Sequence, residues 1–188
     1  AAWHASRTGS ASTAAFSPRE TNSPSSREAE ELRAMLRQTR LIVLSGLSGE
    51  ALGALKPAVL AGLIGRKVVN VGVPGEVSAD GLNRLPDLLD EHSPKLMILC
   101  HGGNDMLRKR DLNVAKNNLR EMVLLAKAAG AEVLCVGVPK PGIVLSTADH
   151  YDALADELEL PYLRDNFAEI LGERSLKADA AHPNAAGY

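Results

Sequence analysis

The sequence predicts an α/β fold, a parallel sheet wrapped by helices, on three observations. From residue 41 onward, short apolar runs alternate with longer amphipathic segments, and strand–helix alternation of this kind builds parallel sheets. The apolar runs are near-continuous, as expected of strands covered on both faces. The chain has 188 residues, enough for one domain with a real core.

The elements follow in order. Residues 1–24 are rich in Ala, Ser, Thr and Pro without periodicity, which predicts a disordered arm. In "SSREAEELRAMLRQTR", Ser25 and Glu28 have the spacing of a capping box. Leu32, Met35 and Leu36 then repeat at helical spacing, so a short helix is predicted over 25–40. The domain proper runs over 41–188. Its strands are "LIVL" (41–44), "KVVNV" (67–71), "KLMILC" (95–100), "EVLCVGV" (132–138) and a weaker "LPYL" (160–163). Helices are expected over 49–64, 78–91, 113–129, 147–158 and 165–172. Cys100 and Cys135 fall late in strand runs and read as small buried hydrophobes, without metal-type spacing.

Composition excludes several function classes. Net charge is −2, so no strong field draws the chain to nucleic acid or anionic lipid. Aromatics make up 3%, too few for a base-stacking platform. No apolar stretch approaches the ~20 residues of a membrane span. Residues 1–17 lack the apolar segment of a signal peptide. A cytoplasmic location is the default, although a leader already removed would leave the same trace.

Open parallel sheets bind ligands beyond the carboxyl ends of their strands. The informative loops are therefore "SGLSGE", "GVPGEVS", "HGGNDML", "PKPGIVL" and the terminal "DAAHPN". In "HGGNDM", two glycines permit a tight turn, Asp105 reads as a helix cap, and Asn104 offers an amide donor. Gly75 precedes a helix, where unpaired N–H groups can hold an anion. Asp179 and His182 are three apart, so a turn can bring the carboxylate to Nδ1 and leave Nε2 to accept a proton. Each motif alone also fits an ordinary turn. Together they make most of an acyl-transfer site, lacking a nucleophile that should follow the first strand.

"NVGVPGEVSADGLNRL", "HGGND" and "DAAHPNAAGY" resemble three conserved blocks of the SGNH (GDSL-type) hydrolases, in the family's order. The branch most similar is the bacterial lysophospholipase/thioesterase/arylesterase group, and the resemblance covers residues 57–188. It implies a three-layer α/β/α sandwich with a flavodoxin-like sheet. It also implies that Gly75 and Asn104 are oxyanion-hole donors and that Asp179 and His182 belong to a Ser-His-Asp triad. The first block of the family, Gly-Asp-Ser-Leu, is altered. Aligning Gly46-Leu47-Ser48 with it makes Ser48 the candidate nucleophile, with Ser45 as its rival.

The resemblance implies a small acyl ester or thioester as substrate, no metal or organic cofactor, and a cytoplasmic, periplasmic or secreted location. It also implies a last helix after "HPNAAGY" that is truncated here, opened by Asn184. An alternative follows from the altered first block, namely an SGNH-fold binding or structural module without catalysis. Among the remaining polar residues, His101 reads as a satisfied loop histidine, and His92 and His150 as exposed helix residues. Arg108, Lys109 and Arg110 read as a solvated charge run, and "PKPGIVL" as a loop that either shapes the acyl pocket or forms a rigid turn.

Overall fold

The computed structural model of the chain describes residues 41–45, 57–142, 145–178, 183, 184 and 186. The arm and helix expected over 1–40, the start of the helix expected from 49, and most of the terminal loop lie outside the described residues.

The elements are β1 (Leu41–Ser45), α1 (Pro57–Ile64), β2 (Val68–Asn70), α2 (Ser78–His92), β3 (Leu96–Cys100), α3 (Gly103–Leu107) and α4 (Leu112–Ala128). After these come β4 (Glu132–Val136), α5 (Asp149–Leu158), β5 (Tyr162–Leu163), α6 (Asn166–Gly172) and a 3₁₀ turn (Arg174–Leu176). The sheet order is β2-β1-β3-β4-β5, and every neighbouring pair is parallel. The α/β architecture read from the apolar runs is the one observed.

Side-chain alternation sorts the sheet into two faces. Ile42 and Leu44 of β1, Met97 and Leu99 of β3, and Val133 and Cys135 of β4 join one buried cluster. Helix α2 meets it through Leu85 and Leu89, and α4 through Leu119, Met122, Val123 and Ala126. The three-to-four-residue spacing of these positions is the apolar stripe of a covering helix, and each buried Leu or Met contributes about 2 kcal/mol. On the other face Val43 and Leu96 are buried, packed by Leu60 and Ile64 of α1 and by Val68, Ile98 and Leu134.

Local chemistry sets the ends of several elements. The Asp111 side chain accepts from the Asn113 N–H at 2.8 Å, capping α4. Strand β4 ends at Val136, two residues short of the expectation, because the chain then pairs elsewhere. The Val138 carbonyl accepts from the Ala148 N–H at 3.2 Å, and Lys140 N–H donates to the Ser146 carbonyl at 2.9 Å. A Pro139–Thr147 bridge completes this closed loop, so the described part of "PKPGIVL" is a braced turn. Neither cysteine is in a disulfide, and both are buried. Burial, with Cys100 close by, pushes the Cys135 thiol up to about 12.

Two expectations for histidines are corrected. His92 and His150 are half-buried rather than exposed. The His150 ring lies tilted against that of Tyr151, 4.2 Å between centroids, and burial lowers the His150 pKa.

Candidate functional site

The sequence of strand pairing reverses at β1, which lies between β2 and β3. In doubly wound sheets the crevice at that reversal, outside the carboxyl ends, is the binding position. Two described loops converge on it, those leaving β2 and β3. Ser45 closes β1 in register with Cys100, the last residue of β3. Ser48, Asp179 and His182 lie outside the described residues. Gly75 and Asn104 are described, and the structure brings their loops into contact.

The β2–α2 loop begins with the Asn70 side chain accepting from the Gly72 N–H at 2.9 Å. It turns at Gly75, whose φ is +74°, a left-handed conformation that a β-carbon penalises. The Gly75 carbonyl accepts from Arg108 Nη2 at 2.8 Å. Among the described residues no acceptor takes the Gly75 N–H. Glu76 follows, and its carbonyl accepts from Asn104 Nδ2 at 3.1 Å.

The loop after β3 is shorter. His101 is buried, and Gly102 turns left-handed at φ +94° as the N-cap of α3. Asn104 therefore stands in the first turn of a helix that opens directly from the glycine turn. Its amide and the Gly75 loop now flank one edge of the crevice.

Further contacts staple these loops, and most were not foreseen. Glu76 is 7% exposed. Arg84 donates to its carboxylate from Nε and from Nη2, the latter at 2.7 Å, and also from Nη2 to the Val71 carbonyl at 2.6 Å. His101 Nε2 lies 3.1 Å from Glu76 Oε2. Burial raises the Glu76 pKa, but hydrogen bonds from His101 and Arg84, with the Arg84 charge, outweigh it and hold the carboxyl at about 2. Asp105 is also buried, and its carboxylate takes the N–H and hydroxyl of Ser78. The Ser78 hydroxyl in turn accepts from Asn118 Nδ2 at 2.9 Å.

Three sequence readings are thereby refined. His101 is a satisfied histidine, but a deeply buried one with a carboxylate partner. Asp105 is a cap, though of α2 rather than of its own helix, because its side chain crosses to Ser78. Arg108 is exposed, yet it is fixed on the Gly75 carbonyl rather than solvated. The only signal for Glu76 was its place between Gly75 and Ser78; nothing in the chain marked it as paired with residues 8 and 25 positions on.

Among the described residues no group of three or more His, Cys, Asp or Glu side chains is placed to hold a metal ion. The arrangement ties the loops of Gly75 and Asn104 into one rim, backed by the Glu76–Arg84 ion pair. Such a rim is suited to stabilising negative charge.

Comparison with known proteins places the chain among relatives of the same fold. The chain is 34% identical over 125 residues to Esterase TesA of Pseudomonas aeruginosa, covering 62% of this chain and 61% of that protein. It is 33% identical over 123 residues to Thioesterase 1/protease 1/lysophospholipase L1 of Escherichia coli, covering 62% of this chain and 59% of that one. The matched part thus spans about three fifths of those relatives' length. A crystal structure of TesA superposes with a TM-score of 0.66 at 28% identity, covering 78% of this chain and 90% of that one. AlinE4, an SGNH-hydrolase family esterase, superposes with a TM-score of 0.60 at 25% identity, covering 79% and 88%. The model of the GDSL-like Lipase/Acylhydrolase family matches residues 39–188, a span that takes in every strand and both loops of the crevice, and the chain belongs to that family.

Proposed function

We propose that the chain hydrolyses acyl esters, thioesters among them, through a covalent acyl-serine. Ser48 Oγ attacks the acyl carbonyl while His182 Nε2 takes its proton, and Asp179 orients the imidazole and stabilises its cation. The tetrahedral oxyanion is held by the Ser48 N–H, the Gly75 N–H and the Asn104 amide. Collapse breaks the bond to the leaving alcohol or thiol, which receives the proton from His182. Water then attacks the acyl-serine by the reverse proton path and releases the carboxylic acid. No cofactor takes part in these steps.

The observation that carries this reading is the juxtaposition of Gly75 and Asn104, joined by the 3.1 Å bond from Asn104 Nδ2 to the carbonyl of the residue after Gly75. That bond ties together the two loops that carry the candidate donors, which supports a shared oxyanion position between them. Similarity to proteins named esterase and thioesterase/lysophospholipase supports the substrate class.

Turnover of p-nitrophenyl butyrate and of an acyl-coenzyme A tests the reading. Ser48→Ala abolishes both, and Asn104→Ala lowers kcat ~10²–10³-fold, the usual cost of one oxyanion donor. Activity kept in Ser48→Ala but lost in Ser45→Ala moves the nucleophile to Ser45. Absence of turnover together with absence of labelling by a fluorophosphonate favours the non-catalytic module suggested by the altered Gly46-Leu47-Ser48 block.

A further inference from the structure

We propose that the Glu76 carboxylate is a positioning group for the two oxyanion donors, Gly75 and Asn104, and that His101 is the arm that aims it. The inference rests on the acyl-hydrolase reading above and adds residues to it that touch no substrate.

Glu76 joins the donors in two ways. Its main chain follows Gly75 directly, and its carbonyl receives the Asn104 amide at 3.1 Å. Its side chain is held by the loop that carries Asn104, since Oε2 lies 3.1 Å from His101 Nε2. The direction of that second bond is fixed. His101 Nδ1 accepts from the Gly102 N–H at 2.9 Å, so the ring proton sits on Nε2 and is donated to Glu76. Arg84 closes the third side, bridging the carboxylate to the Val71 carbonyl where the chain leaves β2.

The Glu76 side chain is 4% exposed. A buried carboxylate facing three directed donors cannot swivel without leaving charge unpaired in a low dielectric. The peptide after Gly75 is therefore clamped from β2, α2 and β3 at once, and the Asn104 amide hangs on that peptide. Gly81 leaves the space for this clamp, because a β-carbon there would lie 2.7 Å from His101 Nε2 and 3.3 Å from Glu76 Oε2. Donors fixed before the oxyanion forms are what such a site requires.

Two substitutions of His101 separate the contributions of its ring nitrogens. In His101→Gln, the amide reaches the Nε2 position and keeps a donor for Glu76. In His101→Asn, the carbonyl stands near Nδ1 and keeps only the acceptor for Gly102. Glu76→Gln replaces one acceptor oxygen by a donor that opposes Arg84 or His101.

Steady-state kinetics on p-nitrophenyl butyrate, well below each variant's Tm, are read beside side-chain amide NMR of Asn104. The expected result is a ~10–100-fold loss of kcat in Glu76→Gln and His101→Asn, with KM within ~3-fold. His101→Gln restores kcat to within ~3-fold of wild type although its Tm also falls. The Asn104 Nδ2 resonances move in the first two variants and return in the third. Equal kcat losses in both His101 variants, tracking Tm, would overturn the proposal, as would Asn104 resonances unmoved by Glu76→Gln. A wild-type protein without ester turnover sinks the hydrolase reading, whereas the resonances still decide the positioning.

Discussion

The Asp105 carboxylate receives Ser78 twice, the backbone N–H on Oδ2 and the hydroxyl on Oδ1, each at 2.8 Å and across 27 positions of sequence. Val77, the N-cap of α2, provides no side-chain cap, so a residue from the next loop does this for it. One carboxylate thus both caps α2 and fastens it to the loop bearing Asn104. It also favours the positive end of the helix dipole.

Asp105→Ala leaves a buried N–H and a buried hydroxyl without their acceptor. A loss of about 2–4 kcal/mol is expected, combining a cap with the desolvation of unsatisfied groups. Ser78→Ala removes only the hydroxyl and is expected to cost about 1 kcal/mol. Urea unfolding of the two variants checks the order. Equal midpoints for both would show that Asp105 does not cap α2.

Gly81→Ala sets helix propensity against packing. In an exposed helix interior the change gains about 1 kcal/mol. Here the new β-carbon meets His101 Nε2 at 2.7 Å and Met122 Cε at 3.1 Å. Methionine can yield, but the ring is held at both nitrogens. Net destabilisation of about 1–3 kcal/mol is expected, read as a lower urea midpoint with unchanged slope. A raised midpoint would show that the ring moves freely.

The parts of this molecule legible in its sequence are those carried by local pattern. Runs such as 96–100 are apolar throughout because helices cover β3 on both faces, and that leaves a mark in consecutive residues. The turns at Gly75 and Gly102 were legible because Pro-Gly-Glu and Gly-Gly-Asn-Asp have turn chemistry of their own. The clamp behind them was not. Glu76 and Arg84 carry no local mark and His101 reads only as a satisfied loop histidine, since what distinguishes the three is contact with one another across separate elements. Arg108 illustrates the same limit, as a charge run looks solvated until Gly75 offers it a carbonyl at 2.8 Å.

The Glu76 cluster gives stability a defined pH dependence. Its carboxyl titrates at about 2 in the folded chain, against an ordinary value of 4.5. A depressed folded pKa contributes stability above the ordinary value, and that contribution fades as pH falls from about 4.5 towards 2. The difference corresponds to at most about 3 kcal/mol at neutral pH. Wild type is expected to lose urea resistance between about pH 4.5 and 2 more steeply than Glu76→Gln, which carries no proton to take up at that position. Parallel curves for the two would place the acid sensitivity in other carboxylates.

Gly102 and Tyr151 are coupled through a contact that only glycine permits. Tyr151 is fully buried, and its hydroxyl donates to the His101 carbonyl at 2.6 Å. A β-carbon on Gly102 would lie 2.8 Å from that hydroxyl oxygen, at a φ of +94°. Gly102→Ala therefore carries a backbone penalty of about 1–2 kcal/mol and a steric one besides. Tyr151→Phe alone is expected to cost about 1–2 kcal/mol, because it strands the His101 carbonyl. In the double variant the hydroxyl is gone, so the steric part of the Gly102 penalty largely disappears while the backbone part stays. The double variant should be less destabilised than the sum of the singles by about 1 kcal/mol. Strict additivity in urea unfolding would mean that the tyrosine hydroxyl does not occupy the space over Gly102.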